Sequence, residues 1–180
     1  MKSSIMIGGA GAHDRHPSDF YETPPEATIA LTEQLDLPKG TRVWEPACGD
    51  GAIVRPLRDM EFDVWPSDIR PEADGFILDF LDGLNVETDW IITNPPFNLS
   101  EEFIRRSWGI GVPFAFLLKA TFWNTKAHGK LFQDCPPTGI YPLTWRPAMA
   151  PDRGKSPTMD FMWCSWRHKT EFQPLMKAKT

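Results

Sequence analysis

Short apolar runs alternate with amphipathic stretches along this chain, and from residue 42 the alternation becomes regular. "RVWEPA" reads as a short strand, "GDGAIVRPLRDM" as a glycine turn entering a helix, and "FDVWPSDI" as a second strand. "GFILDFLD" supplies a third, shorter strand and "DWIITN" a fourth, followed by the helix "LSEEFIRRSWG" and the long apolar strand "VPFAFLLKATFW". "TKAHGKLFQDC" is helical, and "GIYPLT" and "MDFMWCSWRH" form a closing pair of strands around the polar loop "WRPAMAPDRGKSP". Upstream, "TPPEATIALTEQLDL" carries a helix signature: Thr23 near the cap, prolines in the first turn, an early Glu26, and Ile29, Leu31 and Leu35 at turn-like spacing. Strands alternating with helices predict an α/β fold, a mainly parallel sheet with helices on both faces. Ligands of such sheets bind at the carboxyl ends of the strands.

Length and composition narrow the picture. At 180 residues the chain suits one α/β domain with a real core. The glycines of "GGAGAH" precede any predicted strand, so residues 1–18 read as a flexible arm and 19–180 as the domain. Net charge is −5, which argues against a protein that coats nucleic acid non-specifically. The charge is uneven: residues 1–100 hold 7 basic and 18 acidic side chains, whereas residues 101–180 hold 12 and 6. A polyanion can meet the second half while the first handles something small. Cys48, Cys135 and Cys164 are scattered and odd in number, forming neither a disulfide framework nor a zinc spacing, which fits a reducing, cytoplasmic setting. The start lacks the apolar length of a signal peptide, and no stretch approaches the ~20 apolar residues of a membrane span.

The chemistry sits at strand ends. After the first strand, Gly49 and Gly51 allow a tight turn that a ligand can approach closely. The turn is neither G-x-G-x-x-G nor a lysine-bearing phosphate loop, and its carboxylates Glu45 and Asp50 suit a cation better than a pyrophosphate. Asp68 ends the second strand, about twenty residues on, where an acid accepts both ribose hydroxyls of an adenosine. Asp79 and Phe80 follow at the next strand end, suited to an adenine amino group and a purine face. At the fourth strand end, Asn94-Pro95-Pro96-Phe97 stops the strand, because two prolines donate no backbone bond and fix φ.

Taken together, "EPACGDGA", "SDI", "LDF" and "NPPF" resemble the S-adenosylmethionine-dependent amino-methyltransferases, most closely the DNA adenine-N6 enzymes. "DFYETPPEAT" is similar to the Phe-Tyr-x-Thr-Pro segment of that family, and the motif order looks like its gamma arrangement, in a minimal, phage- or prophage-like form. The resemblance implies a single Rossmann-like class I domain with a seven-stranded, mostly parallel sheet and one antiparallel strand, helices on both faces, and S-adenosylmethionine as cofactor. It implies a cofactor set of Tyr21, Thr23, Glu45, Ala47, Cys48, Gly49, Asp68, Ile69, Asp79 and Phe80. Asn94 and Pro95 would accept the N–H bonds of a target amine, with Pro96 stiffening the turn and Phe97 stacking on the base. Such a base must come from a single strand or be flipped from a duplex. The methyl donor is a sulfonium, so the chemistry calls for no metal. No segment is left over for the separate target-recognition domain of gamma enzymes; recognition would fall to the loops at 145–158 and 122–130.

The basic second half offers Lys119, Trp123, Lys126, Arg146, Arg153 and Lys155 as nucleic-acid contacts, with Trp145 beside them. Trp163 and Trp166, alternating with polar neighbours, read as packing, and neither His128 nor His168 has a metal-type partner. The same chemistry could act on RNA adenine, cytosine N4 or a protein glutamine amide, or the fold could serve as a non-catalytic binding module.

Overall fold

The computed structural model of the chain describes residues 22–149 and 158–167. The arm at 1–18, Tyr21, Arg153, Lys155 and His168 lie outside the described residues.

Seven strands form one sheet. They are β1 (Arg42–Glu45), β2 (Asp63–Asp68), β3 (Phe76–Ile77), β4 (Trp90–Thr93), β5 (Phe114–Lys119), β6 (Gly139–Pro142) and β7 (Phe161–Trp166). The spatial order is β3-β2-β1-β4-β5-β7-β6, and β7 runs antiparallel to the other six. This is the expected mostly parallel sheet with one antiparallel strand. Strand order reverses between β1 and β4, which opens a crevice at their carboxyl ends.

Four helices cover the two faces. Helix α1 (Pro25–Leu35) and α2 (Val54–Asp59) pack Leu31, Leu35, Val54 and Leu57 against Val43, Ile92, Ala115, Leu117 and Trp163. On the other face α3 (Ser100–Ile110) and α4 (Lys126–Asp134) bring Phe103, Ile104 and Leu131 onto Trp44, Ile91, Phe114, Phe116, Leu118 and Trp166. Successive residues of β5 and β7 alternate between the two cores because side chains alternate across a strand. Local chemistry sets the helix ends. Pro25 opens α1, Thr125 caps α4 by accepting from the His128 N–H, and Gly111, at φ 85°, closes α3.

Three expectations shift. Thr23 gives α1 no cap bond; Pro24 is the cap and Thr23 is buried. The apolar run 112–123 is not one strand, since β5 ends at Lys119 and Phe122–Asn124 forms a 3-10 turn leading to α4. The third strand shrinks to two exposed residues at the sheet edge, too short to bury either face.

Indole N–H groups tie the layers together. Trp163 donates to the Ala27 carbonyl at 2.8 Å, Trp166 to Cys135 O at 2.9 Å, and Trp44 to Ser67 Oγ at 2.9 Å, all within the core. Both β7 tryptophans are packing residues. Trp163→Phe deletes the indole donor of that buried bond and the volume of its five-membered ring. It is expected to lower unfolding free energy by about 1–3 kcal/mol, read by equilibrium urea denaturation.

Candidate functional site

A cavity of about 310 Å³ opens where the strand order reverses. Each strand end contributes to it in turn. Glu45, Ala47 and Cys48 come from the β1 end, Asp68, Ile69 and Arg70 from β2, and Asp79 and Phe80 follow β3. Asn94, Pro95 and Pro96 follow β4, and Thr23 closes the side nearest α1. Eleven sequence-predicted positions, scattered from residue 23 to residue 96, therefore share one cavity.

The glycine turn is held by backbone bonds in a conformation that favours glycine. Gly49 and Gly51 sit at φ 52° and 76°, in the left-handed region. Cys48 N–H donates to Ser67 O at 3.0 Å, and Asp74 N–H donates to Gly49 O at 2.8 Å. Gly49 N–H donates to Asp68 Oδ2 at 2.9 Å, so Gly49 acts through its backbone rather than by lining the cavity. A Cβ on Gly75 would meet Cys48 Sγ at 2.7 Å and Pro66 O at 2.8 Å. Burial, helped by the Glu45 and Asp68 carboxylates, pushes the Cys48 thiol up to about 12.

Glu45 is fully buried at the turn's entrance. Its Oε1 accepts from Thr93 Oγ1 at 2.5 Å and from Ala47 N–H at 3.2 Å, while Oε2 has no protein partner among the described residues. Burial raises the carboxyl to about 8, offset in part by the Thr93 and Ala47 hydrogen bonds, with repulsion from Asp68 adding to the rise. A buried acid with one oxygen unsatisfied, lining a cavity, is chemically suited to an ammonium. Thr93 escaped the sequence reading because it sits in an apolar strand 48 residues from its partner. The pairing of β1 with β4, Val43 with Trp90 and Trp44 with Ile91, brings the two ends together.

The residues that follow β2 and β3 differ in exposure. Asp79 accepts from Leu81 N–H at 2.8 Å and so starts the 3-10 turn Phe80–Asp82. The Phe80 ring is largely enclosed, 5.0 Å from Trp44 and 4.7 Å from Phe103, whereas Ile69 is 63% exposed on the rim and offers the larger apolar surface. Arg106 holds this turn in place by donating to Phe80 O, Leu84 O and Asn85 Oδ1 at 2.8–2.9 Å. No sequence pattern marked that clamp.

The Asn94–Phe97 turn is built as its prolines predict. The Pro96 carbonyl accepts from Leu99 N–H at 2.9 Å and Ser100 Oγ at 3.2 Å, starting the 3-10 turn Phe97–Leu99 that leads into α3. Pro95 is buried. Phe97 turns away from the cavity: its ring lies 5.9 Å from Phe161, and Lys119 Nζ stands 4.0 Å over it. Among the other basic-half candidates, Arg146 pairs with Asp160 at 2.8 Å, Lys126 is exposed, and Trp123 packs against Phe122 and Phe132 rather than standing free.

Comparison with known proteins accords with this geometry. No family model matches the chain. The type II methyltransferase M.TthHB8I of Thermus thermophilus is 36% identical over 92 residues, covering 45% of this chain. The chain spans 22% of that relative's length. Among solved structures, an S-adenosylmethionine-dependent O-methyltransferase from Thermotoga maritima superposes with TM-score 0.59 at 17% identity, covering 82% of this chain and 67% of that one. The fold is that of class I S-adenosylmethionine-dependent methyltransferases. A proposed RNA methyltransferase from Pyrococcus horikoshii shares the methyltransferase fold with TM-score 0.61 at 15% identity, covering 82% of this chain and 86% of that one. The expected cofactor, S-adenosylmethionine, is the one after which such neighbours are named, and the resemblance read from the motifs agrees with the Thermus relative.

Two outcomes test the cofactor side of this site. Gly75→Ala, by pressing on Cys48 and Pro66, is expected to weaken S-adenosylmethionine binding about tenfold in calorimetry. Glu45 gives a pH signature. Its carboxyl, raised from 4.5 to about 8, makes the folded protein bind more protons than the unfolded chain, so stability of the cofactor-free protein falls as pH rises across that window. Binding a cation to the carboxylate then releases close to one proton at pH 7. Calorimetry in buffers of different ionisation enthalpy should detect that proton and should lose it in Glu45→Gln.

Proposed function

We propose that the chain transfers a methyl group from S-adenosylmethionine to the exocyclic N6 amine of adenine in DNA. The observation that carries this reading is that the Asn94-Pro95-Pro96 turn and the Glu45, Asp68 and Asp79 carboxylates line a single cavity. A nucleobase amine is a poor nucleophile because its lone pair is delocalised into the ring. Two acceptors around its N–H bonds, Asn94 Oδ1 and the Pro95 carbonyl, favour a tetrahedral nitrogen and aim that lone pair along one line. The Pro96 carbonyl is committed to the following turn, which leaves Pro95 as the acceptor. When bound, S-adenosylmethionine supplies the electrophilic methyl. Glu45 holds its ammonium, Asp68 its ribose and Asp79 its adenine, with Ile69 covering the purine and Thr23 bounding the methionine end. In-line transfer depends on orientation, which the rigid turn supplies.

A nucleic-acid substrate is supported by likeness to a type II methyltransferase and by the basic side chains Lys119, Lys126 and Arg146 of the second half. Lys119, at the carboxyl end of β5 with its Nζ over the Phe97 ring, places a cation beside the proline turn. RNA adenine is the second reading to be tested in parallel.

The test is transfer of labelled methyl to unmethylated duplex DNA, single-stranded DNA, RNA and a protein extract. Label recovered as N6-methyladenine in DNA, reduced about 10²-fold or more by Asn94→Ala, is the expected result. Label confined to RNA or protein would keep the chemistry and sink the DNA assignment.

A further inference from the structure

Asp68, the acid read above as the ribose acceptor, already has both oxygens engaged by the protein. Oδ2 takes the Gly49 N–H at 2.9 Å. Oδ1 takes the Arg70 N–H at 2.9 Å and Arg70 Nε at 3.2 Å. The Asp68 side chain is only 9% exposed, so a ribose diol meets a carboxylate with little room and three donors in place. Two of these are backbone groups fixed by the turn. The third rides on a rotatable side chain that lines the cavity and is 19% exposed.

A destination for that side chain exists. Arg70 Nη2 lies 3.9 Å from Asp50 Oδ1, so a small rotation exchanges one carboxylate for another without stranding the charge. Arg70 is also the one cation among the described residues lining the cavity, where Glu22, Glu45, Asp68 and Asp79 are the acids. Its position therefore governs how much of the Asp68 charge a sugar hydroxyl meets.

We propose that Arg70 is a specificity-determining residue of the cofactor site. Its guanidinium competes with the ribose diol for Asp68 Oδ1 and moves to Asp50 as the sugar binds. A ligand with the cis-diol repays the displacement through two new hydrogen bonds to the carboxylate. A ligand without it leaves Arg70 where it is. Arg70 thereby lowers the net contribution of the diol, and removing its side-chain donors should increase that contribution. The inference rests on Asp68 being the ribose acceptor.

The experiment is a cycle pairing protein and ligand changes. Dissociation constants are measured by calorimetry for S-adenosylhomocysteine and its 2′,3′-dideoxy analogue, with the wild-type chain and with Arg70→Met. The ratio of the dideoxy to the parent constant is expected to rise about fivefold in the variant, the size of coupling typical for groups in contact. Arg70→Lys, which keeps the charge but loses the Nε donor, should move the ratio in the same direction and serves if the methionine variant does not fold. A ratio that stays the same or falls while binding persists overturns the proposal, because Arg70 would then only brace the turn or hold the ribose itself. A wild-type chain that binds neither ligand overturns the cofactor reading on which the proposal stands.

Discussion

A buried hydrogen bond from the Thr93 hydroxyl to Glu45, added to the β1–β4 ladder, links the two halves of this site. Glu45 ends β1 and opens the glycine turn; Thr93 ends β4 and immediately precedes Asn94. The bond spans the point where the strand order reverses, so the ligand-holding turn and the proline turn share one rigid edge. A buried carboxylate is costly unless its oxygens are satisfied, and here Oε1 accepts two bonds while Oε2 has no partner among the described residues.

The rest of the molecule keeps that edge in place. Parallel strands buried on both faces leave little freedom of register, and the aromatic ties of Trp44, Trp163 and Trp166 lock helices and strands together through indole donors. The antiparallel β7 pairs along the full length of β5, from Phe114 to Lys119. It thereby stiffens the strand whose carboxyl end carries Lys119, and it sets Phe161 beside Phe97. Positioning at the proline turn is therefore a property of the whole sheet.

Much of this was legible in the sequence, for a physical reason. Strand ends in an open α/β sheet are punctuated by glycine, proline and acids, so Gly49, Asp68, Asp79 and Asn94-Pro95-Pro96 mark the strand ends that gather around the cavity. What escaped depends on register and side-chain direction. Thr93 sits in an apolar strand and Arg106 on an amphipathic helix, and nothing local marks either, because their partners lie elsewhere in the chain. The Phe97 ring could not be aimed from sequence: the 3-10 turn after Pro96 rotates it away from the cavity toward Phe161 and Lys119. Beyond β5 the apolar run 112–123 misled, since Phe122 and Trp123 are as apolar as a strand but belong to a turn packed on α4.

The Cys48 thiol lines the same cavity as the residues proposed to hold a methyl-sulfonium, an alkylating agent toward sulfur. Thiolate, not thiol, is the nucleophile. With its pKa pushed up to about 12, Cys48 is ionised to only about one part in 10⁵ at pH 7. Burial and the neighbouring carboxylates that shape the turn therefore also keep this sulfur in its un-ionised form in the cofactor-free protein.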